Sequence, residues 1–321
     1  MKTPKISVIM SAYNAEKYIA EAIESILNQT FKDFEFIIIN DSSTDNSLNI
    51  IKKYAKKDRR IVLINNSKNL GLIKSLNKGL KIAKGKYIAR MDDDDISLPK
   101  RFQIQYDFLE NNLEIFLVGS SCFLIDEKGI KIGSQNCPID FTEIKKKLTK
   151  KCCMIHPSIM FRNDKQTFYR EKMWHVEDYD LYLNLLTRNK KIANIKDKII
   201  LYRITPNSIC ITHSRKQKIF SNIAIKFYNQ RMIFGKDKYN DFNSDILLSS
   251  DYIKECSNEE VFIKSIIEAH LKNRNFKRAR EILHKKNVEK KISFLKILPY
   301  FICAYIPLIY KLYRLCFYKE K

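Results

Sequence analysis

The chain has 321 residues, 45% hydrophobic and 12% aromatic, with 59 Lys and Arg against 36 Asp and Glu for a formal net charge of +23. That is ample apolar material for one large or two modest globular domains. The eight cysteines form no CxxC pair and no secretory leader precedes the first strand-like run, which argues against a disulfide scaffold and closely paired zinc ligands and for a reducing cytoplasm.

The first apolar run, "KISVIMSAYN", ends in small and polar residues, and a second, "FEFIIINDSSTD", is apolar from Phe36 to Ile39 without alternation. Uninterrupted apolar strands are buried on both faces, as in parallel sheets. Between the two, Tyr18, Ile19, Ala22, Ile23, Ile26 and Leu27 recur at helical spacing. "NSLNIIKKYAKK" then reads as helix, "IVLINN" as strand, "LIKSLNKGLKIAKG" as a helix that Gly85 ends in a left-handed turn, and "KYIARM" as strand. Four strands and three helices in the first 91 residues describe a doubly wound α/β half. Past Pro99, "RFQIQYDFLENN" reads as helix and "IFLVGSSCFLID" as strand, followed by a less regular span to about Arg203. Beyond Ser214 the pattern is helical almost to the end, with "EVFIKSIIEAHL" and "FKRAREILHKK" resembling a helical hairpin.

Ligands of such sheets bind beyond the carboxyl ends of the strands, and "SAYN", "NDSSTD" and "MDDDD" each stand at such an end. Four adjacent carboxylates repel one another, more so near a low-dielectric interior. A divalent cation among them would offset that, because magnesium and manganese take oxygen ligands and bind through carboxylates together with substrate phosphates; the alternative is a solvated acidic loop capping the next helix. Asp41 accepts from a base or sugar, or caps the following helix. Tyr13 stacks on a base or packs at the sheet edge. Asn69 and Gly71 mark a turn before a helix start, which is able to face phosphate. Downstream, "WHVEDYDLYLNLL" puts Glu177, Asp178 and Asp180 at the start of an amphipathic helix, where a carboxylate serves as general base or as partner of the helix dipole. "IHPSIMFR" puts His156 beside a proline ahead of an apolar strand, which suits a hydrogen-bonded structural histidine.

In this order, "SVIMSAYNAEKYIAEAIESILNQTFKDFEFIIINDSSTD", "NLGLIKSLNKGLKIAKGKYIARMDDDDISLPKRF", "IHPSIMFR" and "EDYDLYLNL" together resemble the family 2 glycosyltransferases of the GT-A fold, over about residues 4 to 215. The resemblance implies a Rossmann-like, mostly parallel α/β sheet flanked by helices, and a bacterial surface-polysaccharide type of enzyme. It also implies an inverting transferase that uses a nucleotide-diphosphate sugar and a divalent metal, Mn2+ or Mg2+. Carried over by position, Ser11, Tyr13 and Asp41 match the nucleobase pocket, with Asp41 bonding the base. Asp92 to Asp94 match the DxD element, Asp94 holding the metal together with Asp92, while Asp92 and Asp93 lie near the ribose and diphosphate. Asp95 matches a further acidic position that supports the site. Asp178 matches the catalytic base, with Glu177 beside it. One departure concerns the segment "YRITPNSI": many relatives carry a histidine there, near the metal or diphosphate, where Thr205 stands here. His213, eight positions on, is the candidate substitute, and His156 is a candidate for acceptor contact or support.

On this reading residues 1–105 form the nucleotide-sugar-binding half, 106–215 the acceptor-binding half of the same domain, and 216–321 a helical C-terminal region. From Leu271 to Lys321 there are 14 basic residues against three acidic ones. The stretch from Ile297 to Tyr310 is uncharged, but its 14 residues fall short of the ~20 a spanning helix needs, and Pro299 and Pro307 interrupt it. It either lies in the interface of an anionic membrane, with Lys311, Arg314 and Lys319 toward the lipid, or packs on the catalytic core. No nucleic-acid recognition motif is present. The expected activity is sugar transfer from a UDP-linked donor, rather than a GDP- or dTDP-linked one, to a lipid-linked or cell-surface glycan at the cytoplasmic face. The rivals are a nucleotidyltransferase of similar fold and a non-catalytic nucleotide-sugar or lipid-surface binding protein.

Overall fold

Seven successive residues with almost no water contact, Ile6–Ala12, make the central strand β1 of the computed structural model. The structure describes residues 3–205, 208, 213–245, 266–268, 270–271, 275–288 and 294–305. β1 lies between β2 (Phe34–Asn40) and β4 (Tyr87–Met91), with β3 (Ile61–Asn65) outside β2, and these four strands run parallel. The crossovers are α1 (Ile19–Leu27), α2 (Ser47–Lys57) and α3 (Leu72–Ile82). Each turns an apolar stripe inward; in α1 that stripe is Ile19, Ala22, Ile23 and Ile26.

Beyond β4 the sheet reverses. β8 (Met160–Arg162) pairs antiparallel with β4 on one side and with β6 (Ile115–Ile125) on the other; β9 (Lys191–Arg203) follows, and β5 (Ile96–Ser97) closes the edge antiparallel to it. β7 (Lys131–Gln135) pairs with β6. The sheet is therefore mixed, parallel from β3 to β4 and antiparallel where β8 meets β4 and β6 and where β5 meets β9. α4 (Arg101–Asn111), α5 (Phe141–Leu148), α6 (Glu177–Thr187) and the long α7 (Ser214–Phe234) complete this part of the chain.

The chain forms two compact units. The first comprises Met1–Cys122, Asn136–Tyr202 and Lys216–Ser250. Its core joins Ile9, Ile37 and Ile39 of the parallel strands to Leu76 and Leu80 of α3, to Tyr179, Tyr182 and Leu185 of α6, and to Phe220 and Phe227 of α7. The second unit comprises Phe123–Gln135, Arg203–Arg215 and Asp251–Lys321. There α8 (Phe276–Val288) and α9 (Phe294–Tyr305) share a small core with Ile267 and Leu271, built on Ala279, Leu283, Cys303 and Ala304. α9 runs through Pro299, where an interruption is expected from sequence; its packing on α8 outweighs the one backbone hydrogen bond that proline removes. Most of "EVFIKSIIEAHL" and everything after Tyr305, Lys311, Arg314 and Lys319 included, lie outside the described residues. Among the described residues no helix is long and apolar enough to cross a membrane. Cys122, Cys137, Cys152, Cys153 and Cys303 are free thiols.

Gly85 departs from expectation. α3 already ends at Ile82, Ala83 leaves it extended at φ −56° and ψ 129°, and Gly85 is not among the glycines with positive φ. The chain needs glycine for clearance instead: a Cβ there would sit 2.4 Å from the Ser7 nitrogen and 2.6 Å from the Ile6 carbonyl carbon. The Gly85 N–H donates to Ser7 Oγ at 2.7 Å, which fixes the close approach. Backbone atoms cannot swing aside as a side chain can. Gly85→Ala is expected to lower unfolding free energy by about 1–3 kcal/mol, the range for forced overpacking; an unchanged urea midpoint would show that the approach of the two segments is not needed.

Candidate active site

The acidic run is a bend pinned at both ends. β4 leads into it, and after four residues β5 returns the chain to β9, where the Leu98 N–H donates to the Ile199 carbonyl at 2.9 Å. The bend gathers Asp92, Asp94 and Asp95, whose carboxylate oxygens all lie within 4.8 Å of one another. Three hard oxygen donors at this spacing fit Mg2+ or Mn2+ and not a thiolate-preferring metal. Asp93 faces elsewhere and accepts the Tyr13 N–H at 3.1 Å. Burial, then the charges of Asp94 and Asp92, hold its carboxyl well above the usual range.

Arg90 is the protein's own counter-ion. It is 3% exposed at the end of β4 and pairs with Asp92 through Nη1. Its backbone N–H donates to the Ile159 carbonyl at 3.1 Å, and its carbonyl accepts Arg101 Nη2 at 2.7 Å. Arg101, fully buried in the first turn of α4, also bonds Gln105 at 3.0 Å; burial and the charge of Arg90 push its guanidinium down to about 9.

On the β1–β2 side, Ser11 lies opposite Ile39 in the strand register and is 9% exposed, whereas the Tyr13 ring is 48% exposed. Asp41, 1% exposed, is held on three sides. Its Oδ1 accepts Asn66 Nδ2 at 2.8 Å and the Leu70 N–H at 2.9 Å, and its Oδ2 accepts the Gly71 N–H at 2.8 Å. Gly71 has φ +83°, and Trp174 lies in van der Waals range of where its Cβ would be. The Asn69–Gly71 turn, which from sequence is able to face phosphate, spends the Leu70 and Gly71 N–H groups on Asp41.

The carboxylate pair opens α6. Glu177 is 7% exposed; Asp178 Oδ1 accepts the Tyr179 N–H at 2.7 Å, and its Oδ2 lies 3.9 Å from Cys152 Sγ. The N-terminal helix dipole favours negative charge at this point. Burial opposes it: burial and then the Asp178 charge push Glu177 up to about 8, and burial pushes Asp178 up to about 6, with Arg90 pulling both down. His156 bonds the Tyr169 hydroxyl through Nε2 at 2.7 Å, and Tyr169 is fixed by two backbone bonds to Asn77, each 2.9 Å. Burial, then the charge of Arg90, hold His156 well below the usual imidazole range, so its ring is neutral.

Arg90 pairs with Asp92, and its charge pulls down the carboxyls of Glu177 and Asp178 and the imidazole of His156. Thr205 and His213 belong to the second unit, where the Thr205 N–H donates to Ser208 Oγ at 3.1 Å. Arg90, Arg101, Tyr169 and Cys152 escape a reading of the sequence. Only Arg90 left a signal, as the one charge inside the otherwise apolar "YIARM".

The sequence profile described as Glycosyl transferase family 2 matches residues 7–168. An uncharacterized glycosyltransferase of Methanocaldococcus jannaschii is 41% identical over 232 residues, 70% of this chain and 80% of the relative. The Escherichia coli UDP-Glc:alpha-D-GlcNAc-diphosphoundecaprenol beta-1,3-glucosyltransferase WfaP is 33% identical over 234 residues, 70% of this chain and 89% of the relative. Among solved structures, a mannosyltransferase from Pyrobaculum calidifontis in complex with GDP-Man and Mn2+ superposes with a TM-score of 0.55 at 13% identity, covering 100% of this chain and 89% of that one. The shared fold is GT-A.

The raised carboxyls carry a stability signature. A carboxyl whose pKa rises on folding contributes stability that is complete below its unfolded pKa, about 4.3 for Glu, and is lost as pH rises through about 8. Glu177→Gln removes that loss. The variant is expected to match wild type near pH 5 and to exceed it by about 2–4 kcal/mol at pH 8 in urea unfolding without metal. A difference independent of pH would mean that Glu177 is not buried as a charged group.

Proposed function

The chain belongs to glycosyl transferase family 2, and from that premise we propose that it transfers a sugar, with inversion, from a UDP-linked donor to a lipid-linked or cell-surface glycan at the cytoplasmic face of a membrane. One observation carries the reading: at the end of β4 Asp92, Asp94 and Asp95 each bring a carboxylate oxygen within 4.8 Å of the others, with buried Arg90 of the same strand paired to Asp92. On this reading the acidic bend serves the diphosphate side of a displacement at an anomeric carbon and the carboxylates that open α6 serve the acceptor side. WfaP, whose name gives a UDP-Glc donor and a diphosphoundecaprenol-linked acceptor, supports the donor and acceptor classes.

In this mechanism Ser11, Tyr13 and Asp41 receive the nucleobase. Asp94 and Asp92 would hold a divalent ion, Mn2+ or Mg2+, with Asp95 in support, and Asp93 would lie toward the ribose. When bound, the ion supplies positive charge against the negative charge that develops on the leaving diphosphate. Asp178 accepts the proton of the acceptor hydroxyl as that oxygen bonds to the anomeric carbon and the bond to diphosphate breaks. A single displacement inverts the centre. Glu177, with the higher pKa of the pair, stays protonated near neutrality and leaves the negative charge on Asp178. His156 and Tyr169, bonded to each other, add no charge to the site. A nucleotidyltransferase or a binding protein would have no need of a buried base at the start of α6.

Calorimetry with UDP, GDP and dTDP, each with and without Mn2+, tests the donor half: UDP is expected to bind tightly only with metal, and Asp94→Asn to lose the metal-dependent part. Asp178→Asn tests the base. It should cut turnover about 10²–10⁴-fold, the usual contribution of a general base, while UDP affinity in Mn2+ stays at wild-type level. Turnover that survives the substitution would remove Asp178 from the mechanism.

A further inference from the structure

α7 ends in three consecutive large apolar residues that face water: Met232, Ile233 and Phe234 are 55%, 71% and 69% exposed. Among the described residues no other run of adjacent large apolar side chains is exposed in this way. Isolated surface hydrophobes need no explanation, but a contiguous apolar tip marks an interface. The tip is rigidly presented. Gly235, at φ +70°, stops the helix with its N–H on the Arg231 carbonyl at 2.9 Å. Asp237 then accepts Arg170 Nη1 at 2.6 Å and pairs with Arg231, Arg170 lies 4.4 Å above the Tyr239 ring, and the Lys172 N–H bonds the Tyr239 hydroxyl at 3.0 Å.

The surroundings of the tip select its partner. α7 contains five Lys and Arg and no acid. Lys218 and Lys226 on the helix, and Lys236 and Lys238 in the turn, are exposed. The next acid along the chain, Asp237, pairs with two arginines; Asp241 and Asp245, further on, are exposed. An apolar wedge rimmed by lysines complements a surface that is apolar within and anionic at its boundary. We propose that Met232, Ile233 and Phe234 insert into the headgroup region of an anionic bilayer, with Lys236 and Lys238 on the lipid phosphates. The inference rests on the reading of a lipid-borne acceptor and specifies where the chain meets its membrane. Arg170 also bonds Asp180 of α6 at 2.7 Å, so the docked tip is braced against the helix that begins with Glu177 and Asp178.

Co-sedimentation of the full chain with phosphatidylglycerol/phosphatidylcholine vesicles, without donor, metal or acceptor, tests docking apart from chemistry. The triple variant M232S/I233S/F234S is expected to lower vesicle affinity about tenfold or more, and K236E/K238E to remove much of its salt dependence. Transfer to a water-soluble acceptor, measured separately, reports on the transfer reading alone. Wild-type binding by the triple variant overturns the proposal. So does a wild type that ignores these vesicles while self-associating through the same three residues in ultracentrifugation, which would make the tip a protein interface. If the triple variant does not fold, Phe234→Trp keeps the test: its emission should shift to the blue on adding vesicles and be quenched by brominated lipid, and an unchanged spectrum also overturns it.

Discussion

Everything around the bend at Asp92 depends on one buried cation. A guanidinium taken out of water costs several kcal/mol, and so does a set of crowded carboxylates; each is tolerable only beside the other. Arg90 and Asp92 supply that pairing, and the fold holds Arg90 in place from three directions: β4 carries it, the Ile159 carbonyl receives its N–H, and Arg101 grips its carbonyl oxygen. The second arginine carries a cost of its own, visible in its depressed pKa. Two buried arginines side by side make sense only where negative charge is abundant. From that placement Arg90 adds to the burial that keeps His156 neutral and offsets part of what burial costs the carboxylate pair on α6.

The parallel half of the fold is written locally. Each of its strands is largely apolar, broken by a single charge in β2 (Glu35) and in β4 (Arg90), and each crossover is an amphipathic stripe, so β1 to β4 and α1 to α3 can be read straight from the residues. The antiparallel half is not. β5 and β8 span two and three residues, too short to show any period, and they exist only because β9, β4 and β6 pair with them. Gly85 shows the same limit in miniature: a glycine after a helix suggests a cap, and only the distance to β1 shows that it is there for clearance.

The candidate site divides along similar lines. Its carboxylates are legible because strand ends and helix starts are where such chemistry is expected, and that places Asp41, the acidic run, Glu177 and Asp178. Which three of the four adjacent aspartates converge depends on the turn, and the structure groups Asp95, not Asp93, with Asp92 and Asp94. Partners contributed from distant segments, such as Tyr169 for His156 or Cys152 beside Asp178, leave no pattern in a single sequence. Arg90 could be found by asking how a charge survives in an apolar strand.

The clamp on Asp41 has a consequence for selectivity. A carboxylate offers about four acceptor positions, and here two on Oδ1 and one on Oδ2 are already taken by Asn66, Leu70 and Gly71. One lone pair is left. On the proposed reading, a uracil or thymine edge, with a single imide N–H, satisfies it completely, whereas a guanine edge brings two neighbouring donors and needs a second acceptor that Asp41 does not supply. Where no such acceptor is at hand, an unmet buried donor costs about 1–3 kcal/mol, about a ten- to hundredfold preference among nucleotides set by a residue whose other bonds are all made to its own chain.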